Sequence, residues 1–431
     1  MYISFIKKGQ SYFILSFLLL IVIGTFLLKL PWITCSGQPI AWVDAAFTAT
    51  SAVCVTGLTT IPVSAFNLGG QLIILMLIQA GGLGIMTLSV YIMLMLGRNI
   101  SLSNTLMVSN LSDSSLRSVE RLIKIMVKYT FFIECGGGLL LSFGFYFFHD
   151  NTILKSIYLG FYHAVSAFCN AGFSIYDSSL IGLSSYIKIV IAALIICGGI
   201  GMYVLYDFIY SRRNAKHLQM NTRVTLLATV ILVVAGTLLI KFLEYAQDGH
   251  ISYVDAFFQS VTARTAGFNS VNLAGLSSST LVVLIILMLI GAAPGSTAGG
   301  MKVTTVTLAC AAIASTFKGQ QKIIIFNREI PITNVLKAFT IIIIFILLAT
   351  LGGIFISAQT DQSMVNSMFT ASSALGTVGL MLDNITDFSE KIFLMIYMFI
   401  GRIGPLTIFL FLLGREKNSH LSYPEERMII G

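Results

Sequence analysis

Four short segments of the chain end alike: Val55-Thr56-Gly57-Leu58, Asn170-Ala171-Gly172-Phe173, Thr265-Ala266-Gly267-Phe268 and Thr377-Val378-Gly379-Leu380. Each places a small or polar residue, then a small or β-branched one, before a glycine, with a bulky apolar residue after it. An aromatic stands ten positions before each glycine: Phe47, Tyr162, Phe257 and Phe369. The glycines lie 115, 95 and 112 residues apart, with long apolar stretches between them. Glycine reaches unusual backbone angles without Cβ strain, so it can turn carbonyls toward one axis. Four such turns around an axis would stack rings of four oxygens, the ligand that hard cations prefer. Such rings replace the water around a dehydrated cation. Side chains at the first position differ, but a backbone carbonyl is present in every case.

These turns must be held at membrane depth. Of 431 residues, 56% are hydrophobic and only 10% charged, where a soluble chain carries roughly 25% charged residues. The chain is expected to be an all-α polytopic membrane protein. Its six cysteines (35, 54, 135, 169, 197 and 310) form no CxxC pair, which argues against a disulfide framework or a metal site. Lys7-Lys8 and the apolar run to Leu30 are read as a retained first span, because the run is long for a signal peptide.

The apolar runs divide into four units, each with a long span, a half-span ending at a glycine turn, and a second span. Unit one covers 1–98, with half-span 41–54 and turn 55–58; unit two covers 99–216, with 156–169 and 170–173. Unit three covers 217–322, with 252–264 and 265–268; unit four covers 323–431, with 362–376 and 377–380. A full span needs about 20 apolar residues, and a run of 10–14 reads as re-entrant. The expected architecture is eight transmembrane helices and four re-entrant pore helices around one pseudo-four-fold pore.

The net charge of +8 could suggest nucleic acid, but its distribution does not. With the termini cytoplasmic, 19 of the 26 Lys and Arg fall on the inner side and six on the outer, leaving Arg402 inside a span. That asymmetry fixes the orientation. The outer face is then net −4, which either concentrates cations at the mouth or is merely solvated. Half-helices entering from outside would direct their partly negative C-termini toward the midplane.

The second spans carry Gly81-Gly82-Leu83-Gly84, Gly198-Gly199-Ile200-Gly201 and Gly401-Arg402-Ile403-Gly404. Their registration behind each turn points to internal duplication, beyond the small residues that helix packing alone would favour. Unit three instead holds a stretch from Gly291 to Gly300 that includes Pro294, Gly295, Ser296, Thr297 and Gly299. It cannot stay regular helix. Set between apolar helices, it must lie at membrane depth against water or protein. A gate below the turns is the expectation; a packed kink is the alternative. Arg402 should face the same cavity, as a cation barrier or as a donor to loop carbonyls. Arg264, three before Gly267, is expected to brace its turn by pairing with an acid such as Asp255, in preference to tuning the ion path. Glu134 lies in the middle of a full span and reads as structural, away from the axis.

Together these residues resemble the Trk/Ktr/HKT superfamily of potassium transporters over nearly the whole chain. The segments carrying the likeness are the four turns, Thr262-Ala263-Arg264-Thr265-Ala266-Gly267-Phe268, and Pro294-Gly295-Ser296-Thr297-Ala298-Gly299-Gly300. With no extra N-terminal helix pair, the chain is most similar to the Ktr-type bacterial membrane subunit. The resemblance implies potassium (K+) uptake across the cell membrane, with sodium (Na+) as an activator, by a homodimer with one pore per protomer. It implies that the four turns are a selectivity filter, and that 291–300 and Arg402 are gating positions. It also implies a cytosolic ring of Rossmann-type nucleotide-binding (RCK/KTN) subunits. The basic inner face offers such a ring a docking surface, as it would anionic lipid. The tail after Arg415 holds no domain of its own, so a regulator is expected on another chain. Neither enzymatic activity nor an organic cofactor is expected. The competing reading is a secondary transporter of another small cation or solute, which would need side-chain ligands near the midplane.

Overall fold

A computed structural model describes residues 2–84, 116–210, 218–247, 249–320 and 322–405. The first group of helices is α1 (Tyr2–Leu28), α2 (Trp42–Cys54) and α3 (Leu68–Leu83). The second is α4 (Leu116–His149), α5 (Ile153–Phe168), α6 (Ser185–Gly199) and α7 (Met202–Tyr210). The third is α8 (Met220–Tyr245), α9 (Tyr253–Thr262), α10 (Ser278–Leu289) and α11 (Val303–Phe317). The last is α12 (Ile332–Gln359), α13 (Met364–Leu375) and α14 (Phe388–Ile403).

Helices α2, α5, α9 and α13 lie at the stretches expected to be half-spans and are 10 to 16 residues long. At 1.5 Å per residue they reach about 15–24 Å, short of a bilayer core of roughly 30 Å. They are buried on nearly every side: from Ala45 to Cys54 only Ala46 is not fully inside, and Phe369 to Leu375 are buried without a break. The long helices do the reverse. Leu227, Val230, Ile231, Val234 and Leu238 of α8, and Ile343, Ile346, Leu347, Leu351 and Ile354 of α12, are exposed. Apolar faces turned outward around a buried small and polar centre are what a lipid solvent requires. Among the described residues, three stretches are long and apolar enough to cross a membrane: Ile125–His149, Met220–Tyr245 and Ile332–Gln359.

Each second helix packs on the next half-helix: α3 on α5, α6 on α9, α10 on α13, and α14 back on α2. Two of these contacts carry ion pairs, Lys188–Asp255 at 2.6 Å and Lys391–Asp44 at 2.7 Å. A third carries the Tyr158 hydroxyl donating to Gln71 Oε1 at 2.5 Å. Helix starts are set locally. Asn67, Ser252, Ser277 and Ser363 each accept from backbone N–H groups of the first turn, as good N-caps do.

Two expectations change. The second spans are not continuous helices: α3, α6 and α14 stop within the glycine motifs, and Gly84, Gly201 and Gly404 take φ of 77°, 87° and 92°. Helix resumes at Met202 in unit two, so unit three differs in the length of its break rather than in having one. The chain also holds a small hairpin, Ile324–Ile325 paired with Arg328–Glu329. Phe326 and Asn327 have φ of 47° and 62°, the two positive angles of a tight two-residue hairpin turn. Residues 85–96 and 406–413 of the expected spans, the 99–115 and 211–217 connections and the tail beyond Arg415 lie outside the described residues.

Candidate ion-conduction site

Each half-helix ends in a turn built alike. Val55, Asn170, Thr265 and Thr377 have φ of 57°, 58°, 75° and 50°, and Gly57, Gly172, Gly267 and Gly379 have φ of 98°, 70°, 80° and 96°. A left-handed β-branched residue is a true outlier and costs on the order of 1–3 kcal/mol. Three such residues and an asparagine at matching positions mark a geometry that the surroundings enforce. In units one, two and four the same bonds close the turn. Thr56 N donates to Ser51 O, Ala171 N to Ser166 O and Val378 N to Ser373 O, all at 2.8 Å. Hydroxyls add to this: Ser51 Oγ accepts from Gly57 N at 3.0 Å and Ser373 Oγ from Gly379 N at 3.1 Å, while Ser166 Oγ donates to Phe173 O. Leu58, Phe173, Phe268 and Leu380 anchor the far side in the core.

The four turns meet. A Cβ on Gly57 would collide with Ala171 O, on Gly172 with Ala266 O, on Gly267 with Val378 O, and on Gly379 with Thr56 O. The order is a closed cycle, with each such Cβ 2.9 to 3.2 Å from the next glycine's Cα. Residues from four distant parts of the chain thus form one ring of backbone, with no room for a side chain at any of its glycines. The hydroxyls of Thr56, Thr265 and Thr377 are buried there without a partner among the described residues.

The third turn departs from the others. Its half-helix stops five residues before the glycine, and Ala266 N bonds to Thr262 O. The hydroxyl is offset by one, Thr262 Oγ1 accepting from Phe268 N at 2.9 Å. The aromatic shifts too: Phe258, not the expected Phe257, is the fully buried ring. Arg264 does not pair with Asp255, which belongs to Lys188. Its Nη2 donates to Gly291 O at 3.2 Å, and its Nε has no partner among the described residues. The correction is from a brace to an acid to a brace on a carbonyl, so Arg264 ties the third turn to the start of the 291–300 loop.

That loop crosses beneath the ring. Ala293 N donates to Gly199 O at 3.0 Å, and Thr297 Oγ1 lies 3.2 Å from Phe168 O and 3.3 Å from Gly198 O. Pro294 O is 2.8 Å from where Gly201 would carry a Cβ, and a Cβ on Gly299 would strike Thr377 Oγ1. Ser296 Oγ donates to Ala293 O at 2.7 Å, and Gly295 and Gly300 turn with φ of 69° and 66°. Pro294 and Gly295 form the exposed tip; Gly291 to Ala293 and Thr297 to Gly300 are buried. Arg402 Nη1 donates to Thr297 O, and Nη2 to Gly81 O at 2.5 Å. This is the donor role expected for Arg402.

Three further features had a faint trace in the sequence. Gly81, Gly198 and Gly401 each face the carbonyl two residues before the left-handed position, those of Val53, Phe168 and Leu375. The glycine motifs were legible, but not that they seat the half-helices. The serine six residues before three of the ring glycines was a readable spacing that went unread. Glu134 accepts from Gln79 Nε2 at 3.2 Å and lies 3.9 Å from Cys169 Sγ. It therefore supports the residue that leads into Asn170.

With this geometry in view, residues 6–420 match the TrkH family, described as cation transport protein. The chain belongs to the TrkH family. TrkH-family proteins are cation transporters rather than enzymes. The Ktr system potassium uptake protein B of Bacillus subtilis (strain 168) is 35% identical, over 97% of this chain and 95% of that protein. The potassium/sodium uptake protein NtpJ of Enterococcus hirae is 34% identical, over 96% and 95%. The crystal structure of the potassium transporter TrkH from Vibrio parahaemolyticus superposes with a TM-score of 0.73 at 20% identity, covering 94% of this chain and 85% of that one. The helical membrane fold of this TrkH-family chain is therefore shared with a solved transporter.

Proposed function

We propose that this TrkH-family chain is the membrane subunit of a potassium uptake system, with the four turns as its selectivity filter. The closed cycle of the four ring glycines carries this reading. Backbone rings at membrane depth need no matching side chains to strip and hold a cation. Units one to four act as four repeats of span, pore helix and span, eight spans in all, with both termini on the cytoplasmic side. Val55, Thr56, Gly57, Asn170, Ala171, Gly172, Thr265, Ala266, Gly267, Thr377, Val378 and Gly379 supply the potassium-binding turns. The 291–300 loop, held by Arg402, is the gate. The family likeness supports a homodimer, sodium as an activator, and a cytosolic nucleotide-binding ring that controls the loop.

Growth of a potassium-uptake-deficient bacterium on limiting potassium tests the reading. Expression with a Ktr-type cytosolic partner is expected to restore growth. Failure at normal membrane levels of both proteins contradicts it.

A further inference from the structure

Three cationic side chains lie below the ring, and among the described residues none pairs with a carboxylate. Arg264 and Arg402 reach their carbonyls through planar guanidinium forks. Lys302 is different: its Nζ donates to Ala298 O at 2.7 Å and is 3.5 Å from Gly299 O. An ammonium is a compact, strongly hydrated point charge. It therefore asks of its surroundings what a monovalent metal cation asks, oxygen atoms in place of water.

Its position is unfavourable on other grounds. Lys302 is the N-cap residue of α11, where the helix dipole opposes positive charge. The Arg402 guanidinium, bonded to Thr297 O of the same loop, adds a like charge. The loop carbonyls must hold the ammonium against both effects. A further oxygen lies on the Cβ side of Gly299: Thr377 Oγ1 is buried and has no partner among the described residues.

We propose that Ala298 O, Gly299 O and Thr377 Oγ1 outline an inner monovalent-cation site below the ring, held shut here by the Lys302 ammonium as a tethered stand-in for the transported ion. This site rests on the reading of the ring as the ion path. On opening, the ammonium leaves and the ion descending from the ring takes its oxygens. The same oxygens serve first as the closed lock and then as the next station.

Thallium(I), a heavy stand-in for potassium, tests this by anomalous diffraction of the full-length protein and of Lys302→Met. Thallium is expected in the ring of both proteins, and beside Ala298 O and Gly299 O only in the variant. Rubidium uptake into proteoliposomes should rise several-fold in Lys302→Met. Should Lys302→Met fail to assemble, Lys302→Gln keeps a donor without the charge and should show the same inner peak. Ring peaks in both proteins, with no inner peak and unchanged uptake in the neutral variant, overturn the inner site alone. No thallium in the ring of either protein overturns the ring reading and the inner site with it.

Discussion

In units one, two and four the half-helix rests its last carbonyls on a glycine of the following helix: Val53 on Gly81, Phe168 on Gly198, Leu375 on Gly401. In unit three the glycine at that station, Gly291, faces Gly299 and Met301 of its own loop, and Arg264 spans the gap to its carbonyl. Three turns are seated by close backbone packing, which has one arrangement. At that station the remaining turn has instead one hydrogen bond, from Arg264 to a segment that has no helix of its own. Packed glycine contacts yield little, whereas a charged hydrogen bond to a loop can be exchanged for another. On the proposed reading, selection and control separate within one ring, three parts fixed and one adjustable.

The largest effect should come from breaking the ring itself. Gly379→Ser forces a side chain into Thr56 O at a φ of 96°, with strain on the order of 1–3 kcal/mol before any clash is counted. Potassium uptake measured in cells is expected to fall to background or lose discrimination against sodium; unchanged kinetics would remove that turn from the ion path. Arg402→Gln comes next. It gives up the charged bonds to Thr297 O and Gly81 O, each contributing about 1.5–3 kcal/mol. Flux without the cytosolic partner should rise roughly ten-fold or more, and a fall would make Arg402 part of the conducting state.

Paired alanines separate the packed units from the loop-held one. Gly198→Ala pushes on Phe168 O and should lower the melting temperature and disturb uptake. Gly291→Ala pushes on Gly299 O instead, so it should loosen the loop and raise basal flux. Equal phenotypes for the two would erase the distinction between fixed and adjustable units. The smallest effect is expected from Ser373→Ala. It deletes the acceptor for Gly379 N, a loss of about 0.5–1.5 kcal/mol. A modest drop in thermal stability with near-normal uptake would fit, and a complete loss of uptake would not.

Much of this was legible in the sequence because the turns repeat. Glycine spacing located all four half-helices to within a few residues, and the Pro–Gly stretch marked the loop. What stayed hidden was geometry that no spacing encodes. Aligning on the glycines concealed the extra residue before Gly267, because Phe257 and Phe258 are both aromatic and only burial tells them apart. Charge pairing was assigned by proximity in sequence, Arg264 with Asp255, whereas cyclic packing gives Asp255 to Lys188 of the preceding group. The role of Lys302 was invisible because its partners are carbonyls, which every residue has.

On the proposed reading, four distant turns act as one cation-coordinating ring. Anomalous diffraction from wild-type crystals grown with rubidium in place of potassium tests it most directly. A short column of rubidium density is expected on the axis enclosed by Gly57, Gly172, Gly267 and Gly379. Density that avoids this axis and gathers elsewhere, beside Glu134 for instance, would contradict it.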